Sequence, residues 1–151
     1  VPITVMTADC LPAFFTDRAG TRVAVAHAGW RGLCDGVLEA TVAQFAQADD
    51  VLVWLGPAIG PQSFEVGGEV RDEFMARDAA AKQAFVPSPG RPGRWLGDLY
   101  QLARQRLRRV GVEAVYGGGR DTHAERELFY SFRRDGRTGR MASVIWLGQP
   151  D

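Results

Sequence analysis

VPITVMTADCLPAFFTDRAGTRVAVAHA, residues 1–28, decides the fold class. Residues 2–7 and 11–16 are short runs rich in Val, Ile, Thr and Phe, which suit the pleated surface of a strand, and they flank a turn at Ala8–Cys10. Asp17–Gly20 is a polar turn, and residues 22–28 form the near-continuous apolar run that a buried strand carries. Three strands in a row leave no room for crossover helices between them, whereas strands and helices interleave further along. The expectation is therefore an α+β fold, mixed β-sheets with packed helices, rather than a pure βαβ repeat.

Outward from that stretch, Gly29, Gly32 and Gly36 bracket a loop that enters a helix. Val37, Leu38, Thr41, Val42 and Phe45 give that helix an apolar face. Residues 51–55 (VLVWL) read as another buried strand and end in GPAIGP, where Pro and Gly stiffen the backbone. Gly67 to Phe85 is helical in pattern, with a break near Asp78. Residues 87–97 (PSPGRPGRWLG) read as an irregular loop. Asp98 is placed to cap a helix whose apolar face is Leu99, Leu102, Ala103, Leu107 and Val110, with Gly111 where a terminating glycine belongs. Val112–Tyr116 and residues 141–147 (MASVIWL) are the remaining strands. No repeat and no linker divides the chain, so residues 1–151 are expected to be one domain. The sequence opens in mid-strand without Met, which suggests a fragment lacking its N-terminal part, strands included.

Composition narrows the function. The 151 residues carry 18 basic and 18 acidic side chains, and zero net charge argues against a nucleic-acid binder. Among the 18 basic residues Lys82 is the sole lysine; the others are arginines, which grip phosphate and carboxylate bidentately. Two cysteines make no disulfide framework, no secretory signal is visible, and no apolar run approaches the roughly 18 residues that cross a bilayer, so the cytoplasm is the expected compartment.

Chemistry concentrates on Cys10 and His27. A soft sulfur and an imidazole on rigid elements suit a zinc site with an open water position. They equally suit a cysteine nucleophile activated by a histidine, or a buried thiol beside a core histidine. Asp9 can orient a ligand or cap the turn. Arg31, among the glycines of AHAGWRG, can clamp a phosphate, although neither Walker nor dinucleotide spacing is present. Arg133, Arg134, Arg137 and Arg140 interleave with glycine beside Phe129, Tyr130 and Phe132, which suits a loop gripping an anionic or ring-bearing ligand. His123 reads as a surface loop residue, and Cys34 as packed inside a helix start.

Taken in order, TADCLP, VAVAHAGWRGL, GVLEATV, WLGPAIGP with FEVG, DLYQLAR and FYSFRRDG with TGRMASVIWL resemble the YfiH-like family. That family is also called the laccase-domain or multicopper polyphenol oxidase family, and its members are regarded as purine nucleoside phosphorylases. The resemblance implies a mixed α/β sandwich and a metal site, usually zinc, built from one Cys and two His. Cys10 matches the cysteine and His27 the second histidine; the first lies upstream of this sequence. It also implies phosphorolysis of adenosine, inosine and methylthioadenosine-type nucleosides, with adenosine deamination beside it. Cys10 and His27 are then metal ligands and catalytic candidates, and Arg31, Arg133 and Arg134 substrate contacts. The partners would be nucleoside and phosphate, with no nucleic acid and no membrane. Many relatives carry cysteines where Gln62, Ser63 and Asp121 stand here. Copper-dependent phenol oxidation and a catalytically inert fragment are the alternatives; two His and two Cys cannot build a four-copper centre.

Overall fold

The computed structural model describes residues 1–148, so the last three residues of the expected 1–151 unit lie outside the described residues. The opening stretch forms β1 (Ile3–Thr7), β2 (Leu11–Asp17) and β3 (Val23–Ala28), close to the ranges the sequence predicts. With β4 (Val51–Leu55) and β8 (Ala114–Gly117), two of them build a four-stranded sheet in the order β3-β2-β4-β8. β2 runs antiparallel to β3 and β4, while β4 and β8 are parallel, which is the mixed sheet expected. β1 leaves that sheet and pairs antiparallel with β9 (Met141–Ile145). The chain changes direction between β1 and β2 at Asp9, whose φ of 99° is left-handed.

Side chains alternate across the sheet, as the pleat demands. Leu11, Ala13 and Phe15, with Val51, Val53 and Leu55, face the core. Phe14, Trp54 and Tyr116 lie on the other face, where the first two rings sit 5.4 Å apart. The core face is covered by α1 (Trp30–Asp35), α2 (Val37–Val42), α3 (Gly68–Arg77) and α4 (Leu99–Arg109). Asp98 caps α4 by accepting from the Gln101 amide at 3.0 Å, and Leu99, Leu102, Ala103 and Leu107 are buried beneath it. Arg106 is buried too; it pairs with Glu39 at 2.8 Å and donates to the Cys34 carbonyl at 2.9 Å, tying α4 to the first two helices. Burying a leucine of this kind stabilises the fold by about 1.5–3 kcal/mol.

Two expectations need correction. The glycine-bracketed loop at 29–36 is helical as α1, because only Gly36 adopts a left-handed φ (99°); it ends α1 and admits α2, which stops at Val42, short of Phe45. The irregular loop at 87–97 also holds structure. Arg94–Gly97 is β7, the centre of a three-stranded antiparallel sheet between β5 (Glu65–Gly67) and β6 (Phe85–Pro87). Pro87 ends an edge strand, where its missing N–H costs nothing. Glu65 holds the intervening turn by accepting from Ser88 Oγ and Arg91, each at 2.6 Å. The break near Asp78 stands, since α3 gives way there to a 3-10 turn at Ala79–Ala84.

Candidate active site

The antiparallel neighbours of β2 bring several chain ends to one edge of the four-stranded sheet. Cys10 precedes β2, Gly29 follows β3, and the GPAIGP loop follows β4. A pocket of about 160 Å³ opens at this edge. Its lining comes from separate parts of the chain: Asp9 and Cys10 before β2, Gly29 and Trp30 after β3, Ile59 and Phe64 after β4, and Phe132 and Arg133 near the C-terminal end.

Backbone hydrogen bonds fix these parts. The Gly56 amide donates to the Pro12 carbonyl at 2.8 Å and the Ile59 amide to the Asp9 carbonyl at 2.9 Å. On the loop's other side the Thr122 amide donates to the Ala58 carbonyl at 3.0 Å. The Tyr100 hydroxyl accepts from the Ala58 amide at 2.7 Å and donates to the Arg120 carbonyl at 2.9 Å. Burial pushes that phenol up to about 12. Phe132–Asp135 forms a one-turn helix, α5, within a stretch the sequence leaves irregular; Ser131 caps it by accepting from the Arg134 amide at 3.2 Å.

The proposed site residues divide. Cys10 is half-buried in the pocket wall, and its sulfur lies 3.0 Å from where a side chain on Gly29 would begin. His27 is exposed and does not line the pocket. Leu11 pairs with Ala28 and Pro12 with His27; carried one residue past the end of the ladder, that register would make His27 the diagonal neighbour of Cys10. Such neighbours stand about 7–8 Å apart, within reach of long side chains. Arg133 lines the pocket, whereas Arg134, the next residue, turns inward. Its guanidinium donates to the carbonyls of Thr122, His123 and Phe129 and to Asp135, all at 2.9–3.1 Å, so its donors are engaged within the fold. Arg31 is exposed and stacks on Trp30.

Two features of the arrangement appear only in the structure. Each aromatic ring of the pocket carries a guanidinium: Arg31 lies 4.6 Å from the Trp30 ring, Arg133 5.6 Å from Phe64, and Arg140 5.9 Å from Phe132. The sequence already places Arg140 among the arginines that interleave with glycine and aromatic residues in FYSFRRDGRTGR, and the structure sets it over the Phe132 ring. The other is a pair: Ser63 and Asp121, two of the positions where many relatives have cysteine, meet through a 2.5 Å hydrogen bond beneath the GPAIGP loop.

Burial, and then the neighbouring Asp9 carboxylate, push the Cys10 thiol above its ordinary range, while Arg140 draws it down. A thiol held neutral is a poor nucleophile by itself. Sulfur and imidazole are donor types that suit zinc, and a catalytic zinc site takes three protein ligands, of which Cys10 and His27 would make two. Among the described residues no group of three His, Cys, Asp or Glu side chains is gathered closely enough to hold a metal. Nor, among them, is any helix long and apolar enough to cross a membrane.

A family model described as multi-copper polyphenol oxidoreductase laccase matches residues 1–148. A Pseudomonas aeruginosa protein named purine nucleoside phosphorylase is 63% identical over 148 residues, covering 97% of this chain and 61% of the relative. The Escherichia coli purine nucleoside phosphorylase YfiH is 63% identical over 144 residues, covering 95% and 58%. The chain thus spans about six-tenths of the length of these curated relatives. Among solved structures, a Neisseria meningitidis protein superposes with a TM-score of 0.95 at 53% identity, covering 99% of this chain and 61% of that one. A Bacillus licheniformis hypothetical protein YfiH superposes at 0.91 with 31% identity, covering 97% and 58%.

Proposed function

The chain belongs to the multi-copper polyphenol oxidoreductase laccase family, and from that premise we propose that it serves a purine nucleoside phosphorylase, with residues 1–151 forming one domain of that fold. The observation that carries this reading is the pocket itself: three aromatic rings, each under an arginine guanidinium, around the Cys10 sulfur. Flat apolar rings suit a purine, and guanidiniums suit phosphate oxygens through paired N–H donors. A ligand pair that offers one ring system and one compact anion satisfies both.

In the reaction, a phosphate oxygen attacks the anomeric carbon of the ribose. The bond from that carbon to the purine nitrogen breaks, and the base leaves and takes up a proton. Trp30, Phe64 and Phe132 hold the ring and exclude water from its faces. Arg133 and Arg140, with Arg31 at the rim, orient the phosphate and offset its charge as the oxygen approaches. Arg133 and the GPAIGP loop are held before the ligand arrives, because Arg133 already donates to the Glu65 carbonyl at 2.7 Å and the loop is tied on both sides. Cys10 and His27 would hold zinc together with a ligand from outside the described residues. When bound, the metal supplies Lewis-acid polarisation of an oxygen. Adenosine deamination is the companion activity we infer, with the same rings presenting the purine to water instead of the ribose to phosphate.

The test is release of free purine by the intact protein from adenosine, inosine and methylthioadenosine, with and without phosphate and with and without a chelator. Phosphate-dependent release that Cys10→Ala abolishes in a folded protein supports the reading. Release indifferent to phosphate, or oxygen uptake with a phenol in its place, refutes it.

A further inference from the structure

Asp9 is the one residue other than glycine with a positive φ among the described residues, and it sits beside the pocket cysteine. A left-handed backbone is strained for any residue with a Cβ, and such strain persists only where surrounding contacts hold it. Here three contacts do. The Asp9 carbonyl accepts from the amide of Ile59, a lining residue, at 2.9 Å. One carboxylate oxygen accepts from Thr122 Oγ1 and the other from the Arg133 amide, both at 2.7 Å. The side-chain partners lie 113 and 124 residues away in the sequence, and Asp9 is 9% exposed. Ser131 satisfies only the Arg134 amide at the start of α5, so the neighbouring Arg133 amide of the same turn takes its acceptor from Asp9, a residue from the far end of the chain.

The walls of the pocket therefore come from separate parts of the chain and meet at one side chain. Cys10 follows Asp9 directly, so the Asp9 backbone angle sets where the sulfur points. The bond to the Arg133 amide sets the position of Phe132 and Arg133, which also line the pocket. We propose that Asp9 is the positioning residue of this pocket, fixing the Cys10 sulfur relative to the Phe132 ring and the Arg133 guanidinium that share its lining. The proposal deepens the phosphorylase reading and rests on it for its kinetic arm.

Variants of the intact protein separate backbone from side chain. Asp9→Gly keeps the left-handed turn without strain and removes both acceptors. Asp9→Asn tolerates the same turn; its amide oxygen can accept from the Arg133 amide while its NH2 donates to Thr122 Oγ1. The expected result is a kcat at least tenfold lower in Asp9→Gly with a melting temperature within a few degrees of the parent. Asp9→Asn should recover most of that loss. A second readout needs no turnover: the rate of Cys10 alkylation by iodoacetamide in the presence of chelator, with buried Cys34 as internal reference, should change in Asp9→Gly and return in Asp9→Asn. Parent-like kcat and alkylation in Asp9→Gly overturn the proposal. So do equal losses in Asp9→Gly and Asp9→Asn, which would put the effect on the charge rather than on the hydrogen-bond geometry. If Asp9→Gly does not fold, Thr122→Val decides: it removes one donor and keeps the shape, and unchanged kcat and alkylation there overturn the proposal. If the parent protein releases no purine, the phosphorylase reading fails, and the alkylation arm alone decides the role of Asp9.

Discussion

Replacing Gly29 with alanine moves the Cys10 sulfur and little else. Gly29 has φ −64° and ψ 165°, a conformation open to any residue, so the new methyl brings no backbone strain. Restricting the unfolded chain stabilises the protein by about 0.4–1 kcal/mol. Against this, the added Cβ meets Cys10 Sγ at 3.0 Å. Carbon contacts are comfortable at about 3.5–4.0 Å, and sulfur is larger, so it must withdraw by roughly 0.5–1 Å. Crowding of this kind costs about 1–3 kcal/mol in a closed core, and less here because Cys10 is half-exposed and can rotate toward the opening. The two effects nearly cancel, leaving a net change within about 1 kcal/mol, or a melting shift of about 2–4 °C for a chain of this size. Activity is another matter, since a displacement of about 1 Å at a reacting centre costs on the order of a hundredfold. Gly29→Ala should therefore melt near the parent and release purine at a rate lower by about ten- to a hundredfold. Gly32→Ala is the control. Its Cβ would meet the His27 carbonyl and Val37 no closer than 3.7 Å, an ordinary contact, and its rate should stay within twofold of the parent. Calorimetry and a phosphate-dependent purine assay read both quantities. Parent-like turnover by Gly29→Ala would refute the claim that the sulfur's position matters to the reaction.

The arginines should part by role: Arg140→Gln should raise KM for phosphate about tenfold at unchanged melting temperature, while Arg134→Gln should lower the melting temperature and leave that KM within about twofold. Reversed outcomes, read from initial rates and thermal melts, would exchange the roles given to the two residues. Tyr100 ionises late, so the fold is favoured below pH 10 and loses that stabilisation as pH rises from about 10 toward about 12. Allowing for screening by its partly solvated surroundings, the effect is about 1–2 kcal/mol. Urea unfolding at either end of that window should show it in the parent and not in Tyr100→Phe, in which the Ala58 amide also loses its acceptor. Phe15→Ala removes a fully buried ring from the central strand, 6.5 Å from Phe45, and should cost about 3–5 kcal/mol by urea unfolding; a loss below about 1.5 kcal/mol would mean the core lies elsewhere.

What the sequence tells and what it conceals follow from the range of the forces involved. VLVWL announces β4, and the Leu99–Leu107 spacing with Asp98 announces α4, because each pattern is complete within a few residues. The small sheet of β5, β6 and β7 is hidden, since strands of three or four residues show no period and are held by a partner such as Glu65, more than twenty positions from the turn it fixes. Cys10 and Arg133 stand out by chemical type, and both reach the pocket. Arg134 looks the same on paper. Neighbours on a helical turn project about 100° apart, so one arginine faces the pocket while the next faces carbonyls inside the fold. For Asp9 the sequence offers a residue that orients a ligand or caps the turn, but not its distant partners Thr122 and Arg133, nor the left-handed φ, which a residue other than glycine does not announce.

The geometry of the sheet explains why the pocket lies where it does. β2 runs against β3 and β4, so the start of β2 shares an edge with the ends of both, and parallel β8 delivers the segment carrying α5 to the same edge. Loops at such an edge would ordinarily leave amides and carbonyls free and mobile. Here Gly56 bonds to Pro12, Ile59 to Asp9, Gly118 to Leu55 and Thr122 to Ala58, extending the order of the ladder past the last paired residues. A ligand entering this edge finds walls already fixed and gives up less in ordering them. The same rigidity makes the site sensitive: with the backbone unable to yield, a single methyl at Gly29 must be absorbed by the Cys10 side chain, so function should be lost there well before stability.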